Sequence, residues 1–265
     1  MNKIVLIFTL SILFSLAKAQ DTLVISSANI HADDTILIYF PKYYKNSDKN
    51  FPLVYMLHGF GGDFHQVNDI ISVQDYADNY GFIIATPDGL KDSWYFNDPN
   101  PKKMQWETFF VEELYPQLIK NYRVDDSNIF ITGFSMGGHG SMYLFLRHNS
   151  LFRAAAASSG VLDLSYSGQK YLSLSDKLGE YEKSKDIFYN YSAINQLDSI
   201  KFSNKKIYID CGNRDFLFEA NQKFYSKCID LYIDAQFLMM PGKHTSFYWQ
   251  TSFPYEFSFF KSLTK

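Results

Sequence analysis

The stretch Ile129-Phe130-Ile131-Thr132-Gly133-Phe134-Ser135-Met136-Gly137-Gly138-His139-Gly140 decides how the rest of the chain is read. Its first three residues are apolar and of strand character. The small residues after Ser135 open a segment of helical character that runs on to Arg147. A Gly-x-Ser-x-Gly pattern between a strand and a helix is a nucleophile elbow. Gly133 and Gly137 keep side chains away from a strained turn that raises Ser135 above the end of a sheet. The N–H of Met136, at the start of the helix, is then aimed at the oxygen of an acyl group under attack.

The chain has 265 residues, 46% of them hydrophobic, enough for one well-filled α/β domain. With a formal charge of −3 and no basic cluster or stripe, neither nucleic acid nor an anionic membrane surface is expected as a partner. The 25 Phe and 20 Tyr are expected to be mostly core, with a few left for substrate. Residues 1–19 have a positive start, an apolar run from Ile4 to Leu16 and an Ala-Lys-Ala end, the pattern of a secretory signal peptide cut after Ala19. That run is too short for a bilayer core, which needs about 20 residues. The expectation is therefore a secreted or periplasmic protein starting at Gln20, with no membrane span after cleavage. Cys211 and Cys228, placed at a strand end and well down the next helix, are expected to be buried thiols and not a disulfide.

Along the chain, Thr22–Ile30 and Thr35–Phe40 read as two antiparallel strands joined at His31–Asp34. Phe51–Leu57 is a near-continuous apolar run, as for a central strand buried on both faces, and leads into His58-Gly59-Phe60-Gly61-Gly62. In an elbow enzyme this loop supplies the second oxyanion donor; the N–H of Phe60 is the candidate, and His58 is read as a structural anchor of the loop. Val73–Tyr80 reads as a helix stopped by Gly81, and Phe82–Ala85 as the next strand. The loop containing Trp94, Tyr95 and Phe96 is a candidate binding wall, or else a rigid packed surface loop. Glu107–Tyr122 reads as an amphipathic helix with Phe110, Leu114 and Leu118 inward and Glu107, Glu112 and Glu113 in solvent. Ala154–Ser159 is a small-residue strand, Lys206–Asp210 a strand, Leu217–Ile233 a helix and Gln236–Met240 the last strand. A terminal helix from Phe247 toward Ser262 is expected to be interrupted near Pro254. Residues 20–265 thus read as a single catalytic domain with a cap-like excursion at about 161–204, too long for an ordinary connection.

Elbow hydrolases carry nucleophile, acid and base in that chain order at successive strand ends, which selects Asp215 and His244. His244 takes the proton of Ser135 during attack, and Asp215 holds the imidazole in the required tautomer. Asp210 is expected to point into the sheet or a neighbouring helix. His139, one turn past Ser135, is read as a packing residue. The histidines lack metal-ligand spacing, and no dinucleotide turn follows a strand, so neither metal nor cofactor is expected.

Leu-His-Gly-Phe-Gly-Gly at 57–62, Gly-Phe-Ser-Met-Gly-Gly at 133–138, Cys-Gly-Asn-Arg-Asp at 211–215 and Pro-Gly-Lys-His at 241–244 together resemble the putative esterase family. That family includes S-formylglutathione hydrolases, feruloyl and acetyl xylan esterases, tributyrin-type esterases and mycolyltransferases. The resemblance implies an α/β-hydrolase fold: a mainly parallel twisted sheet with helices on both faces and antiparallel N-terminal strands. It also implies a Ser135–Asp215–His244 triad with Phe60 and Met136 as oxyanion donors. Lys243 and Thr245 flank the histidine where many relatives carry smaller or acidic residues. The expected activity is hydrolysis of small acyl or aromatic-acyl esters, on a small-molecule or carbohydrate substrate, through an acyl-serine. Acyl transfer by the same fold and a non-catalytic carbohydrate-binding relative stand as alternatives.

Overall fold

The computed structural model describes residues 20–166 and 172–264; the signal-peptide reading of residues 1–19 lies outside them. Eight strands form one sheet in the order β1-β2-β4-β3-β5-β6-β7-β8, with β1 Gln20–Ser27, β2 Ala32–Tyr39, β3 Phe51–Leu57, β4 Ile83–Pro87, β5 Val124–Gly133, β6 Ala154–Ser158, β7 Lys206–Gly212 and β8 Asp234–Met240. The β1–β2 and β2–β4 pairs are antiparallel, and every other pairing is parallel. The chain is an α/β hydrolase by architecture.

The apolar runs are explained by burial on both faces. Along β3 and β5, Leu53, Tyr55, Leu57, Ile129 and Ile131 join one core layer, while Val54, Met56 and Phe130 join the other. The first layer is closed by α3 (Trp106–Phe109), a π-turn and α4 (Tyr115–Asn121), by α5 (Met136–Arg147) and by α8 (Phe218–Asp230). The second is closed by α1 (Gln66–Ile70), α2 (Val73–Tyr80) and α9 (Ser246–Leu263). Gly81, at φ 72°, ends α2 in the left-handed conformation that its missing Cβ permits.

Strand order fixes where a site can form. From β3 the chain moves outward to β4 and returns to β5 on the other side, so the loops after β3 and β5 part and leave a crevice at the carboxyl edge. The His58–Gly62 loop and the elbow are the two sides of that crevice.

Four expectations are corrected. The first hairpin turns earlier than read: Ser27 pairs with Ala32, and His31 takes a positive φ of 55°. Glu107 is buried, not solvated, because Arg147 Nε and His148 Nε2 meet its carboxylate at 2.7 and 2.8 Å and Tyr143 donates to it at 3.2 Å. The helix it opens contains a π-turn at Phe110–Leu114, one residue short of Pro116, which has no N–H for a regular turn. Finally, α9 runs through Pro254 unbroken: the Pro254 carbonyl accepts from Tyr80 and Ser258, and rings on either side are packed, Phe253 against Phe134 and Phe257 against Phe82.

Between 161 and 204 the described residues form α6 (Leu172–Leu178), α7 (Lys185–Tyr191) and 3-10 turns at Tyr181–Lys183 and Ala193–Ile200. Leu162, Leu164, Leu174, Phe188 and Leu197 bury themselves in the α5-side core. Cys211 and Cys228 are free and buried, as expected.

Candidate active site

Ser135 sits at φ 55°, ψ −117°, a conformation that costs a non-glycine residue of order 1–3 kcal/mol. It is held by its surroundings: its N–H bonds to the Ser158 carbonyl at 3.0 Å, and its own carbonyl accepts from His139 N at 3.1 Å. The glycines are required by contact. A Cβ on Gly137 would lie 2.1 Å from the Leu57 carbonyl oxygen, and one on Gly133 would lie 2.6 Å from that same atom. Helix α5 therefore starts hard against β3, and the serine is turned outward.

Ser135 Oγ lies 2.8 Å from His244 Nε2, and His244 Nδ1 lies 2.9 Å from Asp215 Oδ2. The other Asp215 oxygen accepts from the Leu217 N–H at 2.9 Å, so the carboxylate cannot swing away. Its side chain is fully covered, while that of His244 keeps 18% exposure. The imidazole is held between two rings, Phe216 at 4.7 Å and Trp249 edge-on at 5.1 Å between centroids. A hydroxyl, a ring with one nitrogen on it and the other on a carboxylate, and an opening to solvent are the parts of a proton relay.

These three side chains are the ones the sequence pointed to, and the structure brings them together. It also brings Phe60 and Met136 to the same place: Phe60 lines the cleft beside Ser135, and Met136 is the first residue of α5. Of the two readings of the loop at Trp94, Tyr95 and Phe96, the binding wall is corrected and the packed loop holds. All three rings are fully buried and form no wall of the cleft. Trp94 and Tyr95 take positive φ values of 56° and 62°, which turns the loop inward. There the Tyr95 hydroxyl donates to the His58 carbonyl at 2.9 Å, and Phe96 packs edge-on against Tyr191 at 4.9 Å.

The cleft, of about 290 Å³, is lined by Gly59, Phe60, Gln66, Phe134, Phe216 and Trp249 around Ser135 and His244. Sequence reading missed Gln66, whose Oε1 accepts the Gly59 N–H at 2.9 Å and so ties the loop that presents Phe60. It missed Phe216 as well, although that residue directly follows the acid. His58 and His139 are the structural residues they were read as. His58 Nδ1 is 2.7 Å from the Gly59 carbonyl, and burial lowers its pKa. His139 contacts the Trp94 and Tyr191 carbonyls at 3.2 and 3.0 Å, and complete burial lowers it to about 4. Among the described residues no group of His, Cys, Asp and Glu is arranged to hold a metal ion.

The sequence profile described as "Putative esterase" matches residues 27–260. The chain belongs to the putative esterase family. An acetyl esterase of Caldicellulosiruptor saccharolyticus is 24% identical over 253 residues, covering 84% of this chain and 91% of that protein. An esterase of Mycobacterium tuberculosis is 30% identical over 132 residues, 48% of this chain, and the match spans only 29% of the relative's length. A solved ferulic acid esterase superposes with a TM-score of 0.77 at 25% identity, covering 92% of this chain and 98% of that one.

Proposed function

We propose that this protein is an exported serine carboxylesterase that removes small acyl or aromatic-acyl groups from carbohydrate through an acyl-serine intermediate. The observation that carries the reading is the relay from Asp215 through His244 to Ser135 Oγ, opening on a cleft with aromatic walls. His244 Nε2 takes the serine proton as Oγ attacks the ester carbon, and Asp215 stabilises the resulting imidazolium. The carbonyl oxygen gains negative charge and is received by the N–H groups of Phe60 and Met136. The tetrahedral intermediate collapses, His244 returns the proton to the departing alcohol, and the acyl group stays on Ser135. Water then repeats the sequence, with its proton passing to His244 and the acid released.

The acyl side is supported by Phe60, Phe134, Phe216 and Trp249, which suit a short or flat apolar group. The acetyl and ferulic acid esterases among its relatives bracket that range. Export is supported by the N-terminal pattern, and among the described residues no helix is long and apolar enough to cross a membrane. Mass spectrometry of the intact protein, mixed with acetylated and feruloylated sugars, tests the proposal. A mass gain equal to the acyl group, absent in Ser135→Ala, is expected; turnover that survives Ser135→Ala would refute it.

A further inference from the structure

Behind the elbow, two carboxyl groups that the ester chemistry does not use face each other in the core. Asp210, in β7, and Glu256, in α9, are both wholly buried. One oxygen of each has a donor: Ser158 Oγ gives its proton to Asp210 Oδ1 at 2.5 Å, and Thr132 Oγ1 donates to Glu256 Oε2. The two carboxyl groups are hydrogen-bonding neighbours, with the Ser252 and Tyr248 hydroxyls also beside Asp210, yet Asp210 Oδ2 and Glu256 Oε1 are buried with no donor in hydrogen-bonding geometry. Two carboxylates only accept, so side by side they repel and leave both oxygens unmet. A single proton between them satisfies both oxygens and removes one of the two charges.

Among the described residues the surroundings supply no cation in its place. The groups facing the pair are Thr132 from β5, Ser158 from β6, Tyr208 and Cys211 from β7, Tyr248 and Ser252 from α9, and Tyr76 from α2. All of these are neutral at ordinary pH. A further carboxylate, Asp215, faces Cys211 and is engaged by His244. Burial pushes the Glu256 carboxyl well above the usual carboxylate range, with the Asp210 charge adding to it, and raises Asp210 as well.

Each contact of the pair leads by a short path to the triad. Thr132, near the end of β5, lies three residues before Ser135. Ser158, whose hydroxyl serves Asp210, uses its carbonyl to hold the Ser135 N–H at 3.0 Å. The carbonyl of Asp210 holds the Ser159 N–H at 2.7 Å, and five residues further on the chain reaches Asp215. Glu256 lies on the helix that presents Trp249 to the His244 ring.

The geometry points to Asp210 and Glu256 as an acid–carboxylate pair that shares one proton and serves as a positioning device for the triad, joining the segments that carry Ser135, Asp215 and His244. The positioning role rests on the triad reading above; the shared proton does not. The pair acts through the backbone and touches no substrate.

The test uses the full chain and three variants, Glu256→Gln, Asp210→Asn and Glu256→Leu. Unfolding in weakly buffered indicator solution at pH 8 counts the protons that the native state holds. The wild type is expected to release one proton more than Glu256→Gln or Asp210→Asn; equal release would overturn the shared proton. On p-nitrophenyl acetate, Glu256→Leu is expected to lose at least tenfold in kcat at pH 7, with KM little changed. Glu256→Gln, which keeps a hydrogen-bonding head, is expected to recover most of that loss and to hold its kcat to higher pH than the wild type. Equal kcat in the Gln and Leu variants, or an alkaline limb unmoved in Glu256→Gln, would overturn the positioning role. Should Glu256→Leu not fold, the proton count and the alkaline limb of Glu256→Gln still decide. Failure of the esterase reading would look different: Ser135 would form no acyl adduct with any ester, whatever the proton count.

Discussion

Asp210 and Asp215 stand five residues apart at the carboxyl end of β7, both with covered side chains, and they meet opposite kinds of partner. Asp215 has an imidazole on one oxygen and a backbone N–H on the other. Asp210 has a serine hydroxyl on one oxygen and a second carboxyl group on the other. Burial is common to both, so it does not decide what a carboxyl group does; the partner does. Beside a basic ring the charge has a use, because it stabilises the imidazolium that forms during attack. Beside another acid, in the absence of a cation, charge is a liability and the stable arrangement keeps a proton.

The contrast is broken most directly at Asp215. Replacing it with Asn leaves the shape but gives His244 Nδ1 a neutral partner able to impose the wrong tautomer. Asp215→Asn is expected to lower kcat about ten-thousandfold and to leave the urea midpoint close to that of the wild type. A loss below about tenfold would mean that His244 is oriented by something else.

Asp210→Ala should show the reverse weighting. It strands Ser158 Oγ and leaves Glu256 in the core without its neighbour, a cost of roughly 2–3 kcal/mol in unfolding free energy. Urea denaturation measures it, and a change under about 0.5 kcal/mol would show that the network is dispensable.

A third buried aspartate lies between these cases. Asp34 accepts the N–H groups of Asp88 and Gly89, each at 3.1 Å. Burial nonetheless pushes its pKa up to about 7, with the Asp88 charge adding to the effect. Since the raised group binds its proton more tightly folded than unfolded, its contribution is complete below about pH 4 and declines as pH rises toward 7. The decline has a limiting slope of about 1.4 kcal/mol per pH unit. Asp34→Asn should flatten this part of the stability profile between pH 4 and 7; an unchanged slope would place the proton elsewhere.

The relay was legible in the sequence because each member sits in a local pattern at a strand end: Ser135 between its glycines, Asp215 after Cys-Gly-Asn-Arg, His244 after Pro-Gly-Lys. The sheet was legible for a similar reason, since double-sided burial writes continuous apolar runs into β3 and β5. Glu256 was not legible. Its partners Thr132 and Asp210 are 124 and 46 residues away, and a lone Glu in an aromatic helix carries no mark of its environment. Glu107 misled in the same way, because Arg147 and His148, which neutralise it, lie about forty residues along the chain.

The aromatic residues supply the smallest and most discriminating test. Composition shows that a loop is rich in rings but not which way they face, so Trp94 with no exposure and Phe216 with 55% exposure look alike in sequence. Phe216 packs at a tilt against His244 and borders the cleft, so Phe216→Ala removes a ring from the mouth of the site while leaving the core intact. Its stability cost should stay within about 0.5 kcal/mol. An aromatic contact is worth about 0.5–1.5 kcal/mol, which corresponds to a two- to tenfold fall in kcat/KM on a feruloyl ester. On an acetyl ester, which has no ring to lose, the fall should be under about twofold if Phe216 serves the substrate. An equal fall on both esters would assign the ring to His244 instead, because support of the imidazole is felt by every substrate alike.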